Sequence, residues 1–428
     1  RDEKRNWNNN PLLRRIERVE KMAGSTIDHL VSLMVFLGAI LLFIGLFNQT
    51  IQTAILYQRH RAIATKCSDL LDNMLLNPGV PLDWGKSNCT PTGFGLQDPE
   101  FTEYRLSPFS LMRLMSSTGS PVYYSKTGLT YSNITMGFGN FLLVPYTEAI
   151  DFSTAARLLG TNGTYGFQLT ITPIITVSIS EVQPNPLILA VNVFGAGFPL
   201  SNAVISYCFL TVEATGQGAY PAYTIEYGTA YTDDEGSVSL NFPDVDGTSE
   251  SYVLVVYAHL CGLIGVGYHE HVTYDENYVV PFIADFEERR VIIAHSYDVH
   301  GGANPAEIAY NATFVLLTED FTLREMSMEN STGKVGKINY GEGKPFMEIT
   351  IPTYNPGILI ITYRKSAQEC GVVLMPWGIS SMAFPVTFGE EPLQKEWVAT
   401  DIRQAIVNKI AYQAKLALWS LQGYQVIG

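Results

Sequence analysis

Charge is scarce in this 428-residue chain: Asp, Glu, Lys and Arg together make up 16 % of it, and 27 basic residues face 41 acidic ones. The formal net charge of −14 argues against nucleic acid or an anionic membrane surface as a partner, because both repel an acidic protein. No Cys-x-x-Cys pair occurs among the five cysteines, which argues against a zinc ribbon. There is no Gly-x-Ser-x-Gly elbow, no phosphate loop and no dinucleotide fingerprint. No cofactor is implied, and a non-enzymatic role is expected. What is plentiful points elsewhere: 24 Tyr, 21 Phe and 36 Gly in a chain that is 46 % hydrophobic suit β-sandwich domains and exclude a disordered chain.

One stretch holds no charge at all. Leu30 to Phe47 reads LVSLMVFLGAILLFIGLF, and as a helix it would be roughly 27 Å long, close to the thickness of a bilayer's hydrocarbon core. Arg14, Arg15, Arg18 and Lys21 precede it, whereas the next basic residues beyond it are Arg59 and Arg61. That asymmetry places the N-terminal side in the cytoplasm and the bulk outside the cell, as a single-pass membrane protein. The apolar run is too long for a signal peptide, and no small-x-small cleavage site follows it. The lipid bilayer is thus the first expected partner.

From Gln49 to Leu76 neither Gly nor Pro appears, and Asn77-Pro78-Gly79 then forms a stop. We expect one long helix over about 28–76, part in lipid and part a stalk. Ile51, Ile55, Ala62, Leu70 and Met74 recur at near-helical spacing, and such a stripe needs a cover. The C-terminal segment is one candidate: a helix capped by Thr400 or Asp401, with Ile402, Ile406, Ile410, Ala414, Ala417 and Leu421 on one face and Gly423 at its end. Another subunit or the membrane surface is the alternative. Between the helices the period falls to two, with strands expected at 167–173, 175–180, 187–194, 203–212, 237–242 and 252–260, and again at 290–294, 312–317, 346–351, 357–363 and 371–375.

Six Asn-x-Ser/Thr sequons follow the apolar run, at Asn48, Asn88, Asn133, Asn162, Asn311 and Asn330, and make candidate glycosylation sites. An exterior location also permits disulfides. Cys67 with Cys89 and Cys208 with Cys261 are the candidate pairs, with Cys370 left over; buried free thiols are the other reading. His269-Glu-His271 places two imidazoles on one face of a strand, and His259 across a Gly-rich turn is a third weak candidate metal ligand, against the plainer reading of surface histidines. His295, Asp298 and His300 precede Gly301-Gly302, a run seen in oxyanion holes, but no nucleophile elbow accompanies it. Asp233, Asp234, Glu235, Asp244 and Asp246 are either Ca²⁺ ligands or solvated turns.

Lys21-Met-Ala-Gly-Ser-Thr-Ile-Asp28, followed by the apolar run, resembles archaeal type IV pilin-like surface proteins, as do Leu75–Trp84 and Ala156–Pro173. The resemblance covers roughly residues 14–175. It implies a leader cleaved after Ala23, with Gly24 first and Asp28 as the acidic fifth residue, which in the family pairs with a neighbouring subunit's new amino terminus. Here the acidic position is Asp and Gly follows the leader, two departures from the family pattern. Val193–Val204 and Thr232–Leu240 resemble immunoglobulin-like modules of the invasin or carboxypeptidase-regulatory type, which usually act as spacers or adhesive surfaces.

The expected order is a basic segment or leader (1–28), a transmembrane helix (29–47), a stalk helix (48–78), a mixed connecting region (79–165), an immunoglobulin-like β-sandwich (166–285), a second β-rich domain (286–395) and a C-terminal amphipathic helix (396–428). The expected fold is mainly β with a helical anchor. The expected function is that of a cell-surface structural or adhesive protein that self-associates or joins other surface or membrane proteins. The alternative is a membrane-anchored ligand-binding or accessory subunit; an extracellular metal-dependent enzyme comes third.

Overall fold

A computed structural model describes residues 11–115, 121–134, 142–213, 220–273, 278–300, 307–366, 369–377, 385–393, 397–407 and 409–421. It divides into two units, Arg1–Ile63 and Ala64–Gly428. In the first, helix α1 (Pro11–Leu76) begins well ahead of residue 28, because nothing between Pro11 and the apolar run breaks it. Its apolar residues face outward: Leu41, Leu42 and Phe43 are 69–70 % exposed, and the most hydrophobic 18-residue window has none of its residues buried. Length and composition are those of a membrane-crossing helix.

The last three turns of α1 belong to the second unit and are buried along Cys67, Leu70, Leu71, Met74 and Leu75. The helix stops at the expected Asn77-Pro78-Gly79. Gly79 adopts φ +84°, and a Cβ there would lie 2.6 Å from the Trp84 indole nitrogen, so that turn requires glycine. Trp84 then closes the loop, its Nε1 donating to the carbonyls of Pro78 and Gly95 at 3.0 Å each. Helix α2 (Pro108–Met112), strands β1 (Val122–Tyr124), β2 (Leu129–Ile134) and β3 (Leu142–Pro145), and helix α3 (Phe152–Leu158) follow. Strand β4 (Tyr165–Pro173) buries Phe167, Leu169 and Ile171 on alternate positions.

A seven-stranded sandwich comes next: β5 (Ile175–Pro184), β6 (Leu187–Gly195), the two-residue β7 (Phe198–Pro199), β8 (Val204–Glu213), β9 (Ala222–Tyr231), β10 (Ser237–Phe242), β11 (Tyr252–Leu260) and β12 (Leu263–His271), with β7 a short addition to β6. Its sheets run β10-β6-β5 and β12-β11-β8-β9, around a core that includes Leu189, Val191, Ile205, Phe209, Leu254 and Val256. The following strands are β13 (Val279–Asp285), β14 (Arg290–His295), β15 (Ile308–Leu317), β16 (Leu323–Met326), β17 (Val335–Ile338), β18 (Phe346–Thr350), β19 (Gly357–Arg364) and β20 (Cys370–Trp377). They order as β13-β14-β18 and β16-β15-β19-β20, with β17 also on β15. Both modules therefore share one wiring: first, second and fifth principal strands in one sheet, the rest in the other. Strand β3 adds to β13 in parallel and extends that sheet to six strands.

The expected module boundaries shift accordingly. The first sandwich spans 175–271 and the second 278–377, because β4 pairs elsewhere and β13 opens the second module rather than closing the first.

The modules pack sheet against sheet. Tyr252–Tyr257 of β11 and every residue of β19 are buried, as expected of strands covered on both faces. Ser206 Oγ donates to the Phe321 carbonyl at 2.7 Å, Ser251 Oγ to that of Cys370 at 3.1 Å, and Tyr223 OH to Glu325 Oε1 at 2.8 Å. Glu270 of β12 enters this contact. Its Oε2 is sealed and lacks a hydrogen-bond partner, and burial pushes its carboxyl up to about 7, opposed by a bond from the Leu374 N–H. A carboxyl with a raised folded pKa favours the folded state in acid. That contribution is full below the ordinary value of 4.5 and is lost as pH rises through about 7. Glu270→Gln should flatten the stability profile between these limits and stabilise the protein at pH 8 by about 1–3 kcal/mol, measured by urea denaturation across pH.

The C-terminal helix expected over 396–428 is instead a β-hairpin, β22 (Ala399–Val407) and β23 (Ile410–Ser420), in the sheet β21-β4-β23-β22 with β21 (Val386–Gly389). Residues 402, 406, 410 and 414 are four apart, a spacing that also keeps one face of a strand. Parity reverses from β22 to β23: Ile402 and Ile406 are 47 % and 41 % exposed, while Ile410, Tyr412, Ala414 and Leu416 are buried. The expected stop at Gly423 lies outside the described residues. The C-terminal segment nevertheless covers the base of α1, as strands.

Candidate functional site

The helix base and the hairpin are held by one polar cluster. Arg403 of β22 is bidentate to Asp72 (Nε–Oδ1 2.8 Å, Nη2–Oδ2 3.1 Å), reaches Asp401 Oδ1 at 2.9 Å, and donates to Ser68 Oγ at 2.9 Å. Tyr104 OH adds a bond to Asp72 Oδ1 at 3.0 Å. The hydrogen bond to Asp72 raises the Arg403 pKa further above its ordinary range. Burial works to raise the Asp401 carboxyl, but bonds from Ser68, Ile402 N–H and Arg403 outweigh it and hold the pKa low. Within the contact, the Cys67 thiol donates to the carbonyls of Leu416 and Ala399 at 3.5 and 3.7 Å; burial, then Asp401, push it up to about 11. Cys67 is thus an inert packing group.

No disulfide joins any of the five cysteines in the structure. Cys89 sits 3.0 Å from Ser87 Oγ. Cys208 is opposite Val255 in the β8–β11 ladder, whereas Cys261 lies beyond Leu260 in the β11–β12 turn. Six residues of extended strand separate Val255 from Cys261, roughly 20 Å, too far for a bond. Of the sequons, Asn48, Asn88, Asn162 and Asn330 are exposed. Asn311 is half-buried and its Nδ2 donates to the Pro221 carbonyl at 3.0 Å, so that amide is occupied. The Asn133 side chain lies outside the described residues. Asp28 is exposed on α1.

The structure separates the metal candidates. His259 stacks on Phe321 near the hairpin turn, ring centroids 4.8 Å apart. It pairs with Ile264, whereas His269 pairs with Leu254, five positions along the ladder or roughly 17 Å away. His269 and His271 do share a face, against Tyr252, which donates to Glu181 Oε2 at 2.7 Å. Burial, then the neighbouring charge of His271, lower the His269 pKa against the pull of Glu181. Among the described residues no three ligating side chains converge.

The acidic turns are likewise dispersed. Asp233 Oδ1 accepts the N–H groups of Glu235 and Ser237 at 2.9 Å each, Asp234 accepts from Ser201 Oγ, and Asp246 Oδ1 accepts the Thr248 N–H. Asp233–Glu235 and Asp244–Asp246 lie at opposite ends of β10 and shape turns. His295 is buried with Nδ1 accepting the Tyr297 N–H, and Asp298 accepts from Tyr124 OH at 2.9 Å, docking β1. The His300 side chain and Gly301-Gly302 lie outside the described residues.

Arg113 escaped the sequence reading, although it is the only charge in the run 106–120. It is 3 % exposed, lies over the Trp84 ring, and donates to the carbonyls of Trp84, Ser87, Cys89 and Glu148. Burial lowers its pKa, opposed first by Cys89. It ties loop 84–89 to the segment before α3.

No family model matches this chain, and neither does any curated protein. Among solved structures it is similar to a two-domain fibronectin type-III segment of chicken tenascin, at 9 % identity over 48 % of this chain and 99 % of that one, with a TM-score of 0.16. It is also similar to dimeric latent PorU from Porphyromonas gingivalis, at 11 % identity over 56 % of this chain and 25 % of that one, with a TM-score of 0.15. The β-sandwich assignment rests on the strand orders and cores described above.

Proposed function

We infer that this protein is a non-enzymatic surface component, held in a membrane by α1 and presenting two stacked β-sandwich modules outside the cell. The observation that carries this reading is the contrast along one helix. Its apolar run at 30–47 is unburied, while its last three turns are buried under the hairpin. An unburied apolar helix requires lipid or other helices around it. Self-association through α1, in the manner of pilin-like proteins, satisfies that requirement, with Asp28 as the charge awaiting a partner at the membrane edge. The exposed sequons at Asn48, Asn88, Asn162 and Asn330 suit an exterior glycoprotein.

Intact-mass measurement on native protein, with micrographs of the source cells, tests this reading. Loss of residues 1–23 together with regular filaments supports assembly; a retained leader in the membrane fraction supports a permanent anchor. Recovery of untruncated protein in a detergent-free supernatant, resistant to protease added to intact cells, overturns both.

A further inference from the structure

A half-open cleft of about 720 Å³ lies between segment 82–109 and one end of the second module, formed there by residues 286–287, 354–356 and Trp377. Its volume is that of a ligand site. The floor is a row of rings: Phe109 meets Phe286 edge-on at 4.9 Å, and Phe286 lies 5.1 Å from Trp377. Phe109 and Phe286 are half-buried and Trp377 is 3 % exposed, so the row offers the cleft only part of its surface.

The rim is acidic. Among the described residues, Asp83, Asp98, Glu100 and Glu287 line the cleft together with Lys86, and Arg105 and Arg289 stand on two of its rings. Asp98 is engaged by the Glu100 N–H at 3.0 Å, and Glu100 and Glu287 are exposed. The chain already places its own cations on the neighbouring rings: Lys86 over Phe109 at 5.3 Å, Arg105 over Phe101 at 4.6 Å and Arg289 over Tyr354 at 4.7 Å. Phe101 and Tyr354 remain 45 % and 68 % exposed. Aromatic faces beside free carboxylates favour a cation with an apolar body.

We propose that this cleft binds an extended peptide segment through an Arg or Lys side chain beside an apolar residue. The charge meets Glu100 and Glu287, and the apolar residue packs against the half-buried Phe109 and Phe286 beside the exposed Phe101 and Tyr354. An open cleft admits a passing chain, and the net negative lining selects its sign. This assignment does not depend on assembly through α1, and it holds whether or not filaments form.

The test is calorimetric titration of the detergent-solubilised full chain with a blocked Arg–Phe dipeptide. The controls are its citrulline–Phe counterpart and maltose. Saturable millimolar binding is expected, weakened about tenfold by citrulline, by raised salt, and by the Glu100→Gln/Glu287→Gln double variant. Both glutamates are exposed, so that variant should keep the parent's melting curve. Phe101→Ala is the second variant, expected to weaken the dipeptide without abolishing its charge preference. Equal affinity for the citrulline peptide, indifference to the double variant, tighter binding of maltose, or no saturable heat with the Arg–Phe dipeptide overturns the proposal.

Discussion

Leu71→Ala is expected to destabilise the folded protein by about 3 kcal/mol, while Ile55→Ala, on the same helix, should change stability by less than about 0.5 kcal/mol. Leu71 is fully buried, and Ile55 is 46 % exposed. The void left by the lost Cγ and both Cδ methyls forfeits both transfer energy and packing contacts, because the sheet β21-β4-β23-β22 cannot collapse onto it without disturbing the Arg403–Asp72 cluster. Urea denaturation of the detergent-solubilised chain, followed by tryptophan fluorescence, measures the difference. Equal effects at the two positions would show that the helix base is not where the packing lies.

Arg113→Met should cost about 3 kcal/mol or more and loosen loop 84–89 before the rest. The four carbonyls that now accept from the guanidinium lose their donor in a site that is 3 % exposed, and an unmet buried acceptor costs about 1–3 kcal/mol. Arg113→Lys should recover only part of this, since one ammonium cannot reach acceptors spread across 84–89 and 148. Hydrogen exchange resolved along the chain checks the location: protection should fall first in 84–89. Unchanged exchange there, with uniform loss elsewhere, would contradict the role assigned to this residue.

Much of the architecture is legible in the sequence, and each exception has a physical cause. The stop at Asn77-Pro78-Gly79 and most strands fell where local chemistry placed them, because a proline, a left-handed glycine and a two-residue period act within a few residues. The C-terminal segment reads as a helix because spacing by four fits both periods; only the partner β4, more than two hundred residues earlier, selects strand over helix. The module boundaries moved for the same reason, β4 and β13 having equally good patterns in either neighbour's sheet. In the sequence the histidines and acidic turns are weak candidates beside the plainer reading of surface histidines and solvated turns. Register and strand length then set His259 apart from His269, and Asp233 apart from Asp246. Arg113 and Glu270 gave only a faint signal, a charge within an uncharged run and a carboxyl within a strand, since burial is not a local property.

By itself the sequence determined that a charge-free helix long enough to cross a bilayer leads into a chain of alternating strands. Both follow from the local spacing of apolar side chains and the stiffness of the backbone. The tertiary structure alone decided that the two modules share one wiring and stack sheet on sheet, and that the far end of the chain covers the foot of the helix. It alone brought three rings and a set of carboxylates from distant segments into one cleft. These depend on which surfaces lose water together, and that is settled by contacts hundreds of residues apart rather than by any window of sequence.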